Sequence, residues 1–567
     1  MVSLKGALYR KLKEVKEKTE VEESLQKFSI EKPKFTELPP ITDPTKANIS
    51  YSLIEPFARA QIKWNKEEKM LYYNVIEPEL TDEEKSILSK ISDGLIELTE
   101  IGLSTIRNTS EAVDYLSKLV NTVLSQLGIK LTKESYQKIM YYVYRNFVGL
   151  NEIEPLMQDP NIEDISCDGT GIPIYIIHRK YGSMKTNIVF KDPDVLRQFV
   201  IKLAERCGRY ISYAEPILDA TLPDGSRIAA TLATDVATRG ATFTIRKFTE
   251  EPFSPIHQIE LGTASSEMLA YLWYMVEHRV SILVVGGTAT GKTSMLNSIS
   301  MFIQPTAKIV SIEDTKELRL PHEHWISGLA RIGFGVPSAT GEKYGEVTLF
   351  DLLRESFRQN PDYVLVGETR GEEAYVMFQG MASGHASMST FHAGSVEGAL
   401  KRLISPPINL SPTLLESLDI VITMSYAKEK GKSARRIKEI TEIVSVDPKT
   451  GEVKTNLVYK WDPAKDAFTK VNESLKLSRI ASEMGTTLKS VEEEISRRAK
   501  VLEWMLKNGI KRYIEVSKII TEYYMDPIKV LRMVEEEPVR KEERGEKKKR
   551  SIESLLGVLG FKVLGER

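Results

Sequence analysis

Residues 281–294 read SILVVGGTATGKTS and carry the strongest signal in the chain. The apolar run SILVV predicts a buried strand, and the segment SMLNSISMFI (294–303) predicts a helix. Between them, Gly286 to Thr293 match the pattern G-x-x-x-x-G-K-[ST] completely. In this pattern the glycines let successive backbone N–H groups face one phosphate, and the helix adds its N-terminal dipole. The stretch therefore predicts a phosphate-binding loop.

Each residue type in this loop has a chemical reason. Lys292 is expected to neutralise charge on the β- and γ-phosphates, and the Thr293 hydroxyl is expected to ligate Mg²⁺. ATP and Mg²⁺ are the cofactors that follow from these roles. The predicted nucleotide-binding residues of the loop are Gly286, Gly287, Thr288, Ala289, Thr290, Gly291, Lys292, Thr293 and Ser294.

Apolar runs that end in acidic residues recur after the loop, as KIVSIED (308–314) and YVLVGE (363–368). Fully apolar strands separated by helices predict a parallel sheet that is buried on both faces. Ligands bind at the carboxyl ends of such strands. Glu313 is therefore a candidate for polarising an attacking water, although a solvent-facing helix cap fits the same residue. Glu368 is a candidate second carboxylate at the metal site.

Two of the seven histidines, His385 and His392, stand near the ends of GHASMSTFHA (384–393). A histidine at a strand end is commonly a structural residue with satisfied hydrogen bonds. Metal binding by the pair is an alternative, but no cysteine or further histidine follows nearby. The chain has only two cysteines, Cys167 and Cys207, which excludes a four-cysteine zinc site.

Four segments then stand in a familiar order: GGTATGKTS, IVSIEDTKEL, LLRESFRQNPDYVLVGETRGEEA and GHASMSTFHA. They resemble the Walker A, acidic, Walker B and histidine boxes of the secretion ATPase superfamily, which serves type II and type IV secretion, type IV pili and archaella. Upstream, EPILDATLPDGSRIAATL (215–232) and ATFTIRKF (241–248) resemble the family's second N-terminal domain. Bacterial members commonly carry a four-cysteine zinc element, so its absence favours an archaeal member.

The resemblance implies a role for each matching residue. Glu313 resembles the family's catalytic glutamate, and Glu368 its metal-site carboxylate, which would hold Mg²⁺ with Thr293. His392 resembles the histidine that senses the γ-phosphate, with His385 in support. The catalytic residues that the resemblance implies, including two arginines that reach the nucleotide from the N-terminal domain, are Glu313, Glu368, Lys292, His392, Arg227 and Arg246.

The predicted fold is α/β: a RecA-like P-loop ATPase domain with a parallel-rich sheet, preceded by an α+β N-terminal domain and a helical N-terminal segment. Thr81 and Glu84 predict a capping box that starts a helix. The predicted divisions are a helical N-terminal region with a linker and short strands near 51–80 (1–130), an α+β domain contacting nucleotide (131–248), a hinge linker (249–265), the ATPase domain ending in an antiparallel meander (266–470), a helical C-terminal region (471–537) and a basic tail with a short apolar segment (538–567).

Composition excludes some functions. The chain has 78 Lys and Arg against 79 Asp and Glu, so its net charge of −1 argues against a chain-wide nucleic-acid surface. The sequence predicts no transmembrane helix and no signal peptide, which favours the cytoplasm. The basic tail fits an anionic membrane surface or a solvated tail with a docking helix.

The resemblance implies an ATP-hydrolysing, homohexameric ring motor at the inner face of the cell membrane, without zinc. It would work with a polytopic membrane platform protein to assemble a type IV pilus-like filament or to secrete protein. Two alternatives are a nucleic-acid-translocating P-loop ATPase and a scaffold that binds nucleotide without hydrolysing it.

Overall fold

The computed structural model describes residues 28–31, 38, 39, 41, 43–98, 109–232, 235–248, 251–331, 333, 344–429 and 432–536. The chain divides into two compact units, Met1–Thr249 and Glu250–Arg567. The predicted tail at 538–567 lies outside the described residues. Within the described part of the chain, no helix combines the length and apolar character needed to cross a bilayer.

The first unit is built on one sheet of nine strands, in the spatial order β1-β2-β3-β6-β5-β4-β9-β8-β7. All neighbours are antiparallel except β3 and β6. Residues on most strands alternate between buried and exposed, as expected for a sheet with one packed face. The strands are β1 (Asn48–Ile54), β2 (Ala58–Asn65), β3 (Met70–Ile76), β4 (Ile162–Cys167), β5 (Pro173–His178), β6 (Gly182–Val189), β7 (Ile217–Thr221), β8 (Arg227–Thr231) and β9 (Thr242–Arg246).

The helices of the first unit are α1 (Asp82–Leu98), α2 (Thr109–Leu127), α3 (Lys133–Val143), α4 (Glu154–Gln158) and α5 (Pro193–Arg206). Short 3-10 turns at Pro44–Lys46 and Asn151–Ile153 and a π turn at Tyr144–Val148 connect them to their neighbours. The predicted capping box is confirmed, because the Thr81 N–H donates to Glu84 Oε2 at 2.9 Å and the Glu84 N–H donates to Thr81 Oγ1 at 3.2 Å.

The nine-stranded sheet of the first unit contains strands from both sides of the domain boundary that the sequence predicts near residue 130. Strands β1 to β3 form as predicted from 51–80, but they join β4 to β9 through the β3–β6 pair. The Asn187 side chain extends that pair by accepting from the Val75 N–H at 2.8 Å and donating to the Val75 carbonyl at 2.9 Å. The N-terminal region is therefore not purely helical, and its strands complete the α+β sheet.

The second unit also contains a nine-stranded sheet, in the order β12-β11-β13-β14-β10-β15-β16-β17-β18. The first six strands in this order are parallel and the remaining pairings are antiparallel. This confirms the predicted RecA-like α/β fold and the meander after residue 436. The strands are β10 (Ile282–Gly286), β11 (Ile309–Glu313), β12 (Trp325–Leu329), β13 (Tyr363–Thr369), β14 (Ala386–His392), β15 (Ile420–Glu429), β16 (Lys432–Val446), β17 (Val453–Asp462) and β18 (Ala467–Lys470).

The helices of the second unit include one inside the predicted hinge at 249–265. That helix, α6, is capped by Ser254 and buries Ile256 completely in the core. The helices are α6 (Pro255–Glu260), α7 (Ser266–Glu277), α8 (Lys292–Ser300), α9 (Leu349–Arg358), α10 (Glu373–Ala382), α11 (Val396–Ile404), α12 (Pro412–Leu415), α13 (Leu475–Glu483), α14 (Leu488–Lys507), α15 (Tyr513–Met525) and α16 (Pro527–Glu536).

The C-terminal helices share one hydrophobic core with the phosphate-loop strand, since Leu477 and Val501 belong to the same cluster as Val284. Glu442 on β16 fixes the start of α13. Its fully buried carboxylate accepts from the Leu475 N–H at 2.9 Å and from the Tyr271 hydroxyl at 2.9 Å. Asn456, Ser474 and the Lys476 N–H also donate to it.

We expect Glu442→Gln to lower the free energy of unfolding by about 2 kcal/mol, because the amide nitrogen would face buried donors that then lack an acceptor. Urea denaturation followed by circular dichroism measures this loss. Glu439→Gln, on the same strand but only half-buried, is the matched control. Equal unfolding midpoints for the two variants would contradict this account of how α13 is held.

Candidate nucleotide site

The phosphate-binding loop lies between β10 and α8, as the sequence predicts. Gly291 adopts the left-handed conformation, with φ of +90°, which favours glycine. A Cβ at Gly286 would collide with the Thr290 hydroxyl, which donates to the Gly287 carbonyl at 2.9 Å. These two glycines therefore allow the loop to fold closely on itself before the helix begins.

Lys292 opens α8 and turns back across the loop. Its Nζ donates to the Gly287 carbonyl at 2.8 Å. Burial lowers the pKa of this amine, while the negative charge of Glu368 acts in the opposite direction. The loop lysine and the candidate metal carboxylate are thus close enough to interact electrostatically.

The carboxyl ends of four neighbouring parallel strands, β11, β13, β14 and β10, bring the predicted groups to one edge of the sheet. They carry Glu313, Glu368, His392 and the loop respectively. His392 touches the loop directly, with 3.0 Å between its Nε2 and the Thr288 hydroxyl. Three residues that are far apart in sequence therefore lie at the same edge of the sheet as the loop.

Glu313 is 1% exposed, so the solvent-facing helix cap is excluded. Its Oε1 accepts from the N–H groups of Glu317 at 2.9 Å and Leu318 at 2.8 Å. Its Oε2 is buried and has no hydrogen-bond partner among the described residues. Burial raises the pKa of this carboxyl to about 7, although the two N–H groups act against the rise. A fixed carboxylate that gains a proton near neutral pH is suited to general-base chemistry.

Glu368 is held by an ion pair, with 2.6 Å between its Oε2 and Arg370 Nη2. Burial alone would raise the pKa of this carboxyl, but Arg370, Lys292 and His392 together lower it below its usual value. Glu368 is therefore an anion at neutral pH. Its carboxylate and the Thr293 hydroxyl are hard oxygen donors, which fit Mg²⁺.

The structure does not bring His385 to this site, which corrects its predicted supporting role. His385 precedes β14 and His392 ends it, so the two residues lie at opposite edges of the sheet, about 20 Å apart at the usual strand rise. The His385 ring packs on Phe357 with 5.1 Å between ring centroids. Its Nδ1 lies 3.4 Å from the Pro361 carbonyl oxygen.

Arg227 and Arg246 lie in the first unit, directly opposite each other on β8 and β9. Both are exposed, and Arg227 forms an ion pair with Asp219 at 2.7 Å. Arg246 is also directly opposite Asp164 on β4, so each arginine has a carboxylate on a neighbouring strand. Their contact with nucleotide stays a prediction.

Sequence reasoning missed two arginines beside the site. Arg402 on α11 donates to the His392 carbonyl, and its guanidinium lies 5.1 Å from the centre of the Phe391 ring. Arg435 on β16 donates from Nε to the Ala289 carbonyl of the loop at 3.4 Å. Arg435 stands 146 positions from Ala289, so no local pattern could have connected it to the loop.

The fold and the site define a RecA-like P-loop protein, and comparison with known proteins narrows the class. Residues 149–544 match the family described as Type II/IV secretion system protein. The match spans most of the chain, so this protein belongs to that family, and the resemblance inferred from the sequence is confirmed.

Individual relatives cover different shares of the chain. A protein of Methanocaldococcus jannaschii is 38% identical over 475 residues, which is 80% of this chain and 85% of the relative. The type IV secretion system protein PtlH of Bordetella pertussis is 32% identical over 279 residues, covering 43% of this chain and 79% of its own. The crystal structure of the VirB11 ATPase from the Brucella suis type IV secretion system aligns with 53% of this chain and 94% of its own, at 24% identity and a TM-score of 0.26.

Proposed function

We propose that this protein is an ATP-hydrolysing ring motor that powers assembly of a type IV pilus-like filament or protein secretion across the membrane. The observation that carries the proposal is the buried Glu313 carboxylate, one oxygen of which is fixed by backbone N–H groups while the other is unpartnered among the described residues. It shares a sheet edge with the phosphate loop. A scaffold that only binds nucleotide has no need of such a base.

In the proposed reaction the loop N–H groups and Lys292 hold the phosphates of ATP. Thr293 and Glu368 would hold Mg²⁺, which neutralises phosphate charge when bound. Glu313 Oε2 accepts a proton from the attacking water, while Oε1 keeps the carboxylate oriented. His392, already within hydrogen-bond distance of Thr288, would follow the γ-phosphate as it leaves.

The remaining parts of the proposal concern the assembly. Arg227 and Arg246 would reach the nucleotide from the N-terminal unit, with a hinge in the part of 249–265 that precedes α6, because α6 itself is packed into the second unit. Six copies would form the ring at the inner, cytoplasmic face of the cell membrane, and a polytopic platform protein would receive the movement. Membership of the secretion family supports this arrangement, and PtlH is a type IV secretion system protein.

Phosphate release by the purified full-length chain tests the proposal, combined with light scattering in the presence of a non-hydrolysable ATP analogue. We expect Mg²⁺-dependent turnover, no stimulation by DNA, and a particle of about six subunits favoured by nucleotide, because heterologous interfaces that close generate rings of defined size. Strong stimulation by DNA with a steep salt dependence would instead support a nucleic-acid motor. Nucleotide binding without turnover would support the scaffold.

A further inference from the structure

Strand β13 carries an irregularity at the residue that the proposed function needs for metal binding. It pairs in parallel with β14, with Val366 opposite Ser389 and Thr369 opposite Phe391. Three steps along β13 therefore correspond to two along β14, so the strand bulges at Gly367 and Glu368. Bulges change the direction of a side chain and are common beside active sites. The bulge thus sets where the Glu368 carboxylate points.

The hydroxyl of Thr390 holds this bulge from the β14 side. Thr390 is 1% exposed, and its Oγ1 donates to the Gly367 carbonyl at 2.6 Å. A second bond runs the other way, because the Thr369 hydroxyl donates to the Thr390 carbonyl at 3.1 Å. A part-buried carbonyl displaced from the strand ladder loses stability without a donor, and Thr390 supplies that donor.

The bulge is also confined on its other side. A Cβ at Gly367 would lie 3.1 Å from Glu313 Cγ, so the backbone at Gly367 already packs closely against the candidate general base. Movement of the bulge toward β11 would press on Glu313. Thr390 and Glu313 therefore bound the position of Gly367 from two neighbouring strands.

We propose that Thr390 is a positioning residue for the metal-site carboxylate: its hydroxyl pins the Gly367 carbonyl and thereby directs Glu368 toward Mg²⁺. This inference rests on the proposed function, since it assigns Glu368 to the metal. Thr390 acts through the backbone carbonyl of Gly367. Its loss should consequently change the dependence on Mg²⁺ rather than the folding of the sheet.

The test compares Mg²⁺ titrations of the wild-type protein, Thr390→Val and Thr390→Ser. Two readouts are used: ATP turnover, and binding of a fluorescent ATP analogue at increasing Mg²⁺. We expect Thr390→Val to raise the half-saturating Mg²⁺ concentration about tenfold in both, in line with other residues that orient metal ligands. Thr390→Ser keeps the hydroxyl and should stay within about twofold of the wild type.

Thr423→Val is the matched control. Thr423 is a fully buried threonine on β15, and its hydroxyl donates to Glu439 at 3.3 Å instead of holding the bulge. We expect its Mg²⁺ dependence to equal that of the wild type. Thermal melting of every variant checks folding. If Thr390→Val does not fold, comparison of Thr390→Ala with Thr390→Ser tests whether loss of the hydroxyl changes the Mg²⁺ dependence.

Equal Mg²⁺ dependence of the wild type and the folded variant without the hydroxyl would overturn the inference. So would an equal shift in Thr423→Val. Failure of the proposed function gives a different result. If the wild-type protein binds the ATP analogue in a Mg²⁺-dependent way but does not hydrolyse ATP, the proposed function fails, and the binding titration still tests the role of Thr390.

Discussion

Glu313→Gln is expected to lower the rate of ATP hydrolysis roughly 100- to 1,000-fold while leaving nucleotide affinity within a few-fold. Glutamine keeps an oxygen for the N–H groups of Glu317 and Leu318, so the side chain should remain in place. Its amide nitrogen cannot accept a proton from water. Single-turnover phosphate release and analogue binding measure the two effects separately.

The dependence on pH gives the same prediction a second readout. Burial raises the pKa of Glu313 to about 7, so the carboxylate form that can act as a base is lost as the pH falls below that value. Wild-type turnover should therefore decrease from pH 8 to pH 6, and the residual rate of Glu313→Gln should stay flat. Glu323→Gln, which makes the same change at an exposed position, is the control and should keep the wild-type profile. If Glu313→Gln hydrolyses ATP at the wild-type rate, Glu313 is not the general base.

Lys292→Ala is expected to weaken nucleotide binding and turnover together, by roughly 100-fold or more. The amine is the cation that the loop itself supplies, and it is already held over the loop by the Gly287 carbonyl. Without it, phosphate charge is left to the backbone N–H groups, and Glu368 loses a nearby positive charge.

Titration of a fluorescent nucleotide measures the loss in Lys292→Ala, with Lys401→Ala as the control. Lys401 lies on the exposed side of α11, where it pairs with Glu397 at 3.1 Å, and its removal should change neither affinity nor turnover. Affinity equal to that of the wild type in Lys292→Ala would mean that the loop does not hold the phosphates.

Much of the second unit could be predicted from the sequence because its signals are local. The loop pattern, the apolar strands and the acids at their ends need only neighbouring residues for their interpretation. Parallel strands bring their carboxyl ends to one edge, so the sequence alone predicts that Glu313 and Glu368 lie together with the loop. His392 was assigned to the site only by the family resemblance, and the structure places it at the end of β14.

Other parts depended on contacts that no local pattern records. Strand β14 starts just after His385 and ends at His392, so the two histidines lie at opposite ends of the strand. The start of β14 was not evident in GHASMSTFHA, so the sequence could not separate them. Arg435 reaches the loop only because β16 folds back beside β15. The bulge at Gly367 likewise arises from the register between two strands.

Four features could be predicted from the residues alone: the phosphate loop, the α/β class, the family and the identity of the acids at the strand ends. Hydrophobic periodicity and turn chemistry suffice for the loop, the α/β class and the acids, because they act between residues close in the chain. The family followed from the resemblance of the four motif segments. Long-range contacts set three further features: β1 to β3 complete the first sheet, Glu442 fixes the start of α13 to the core, and Glu313 is buried with one oxygen unpartnered among the described residues. Those outcomes depend on long-range pairing and on the exclusion of water, which set burial and hence the pKa of Glu313.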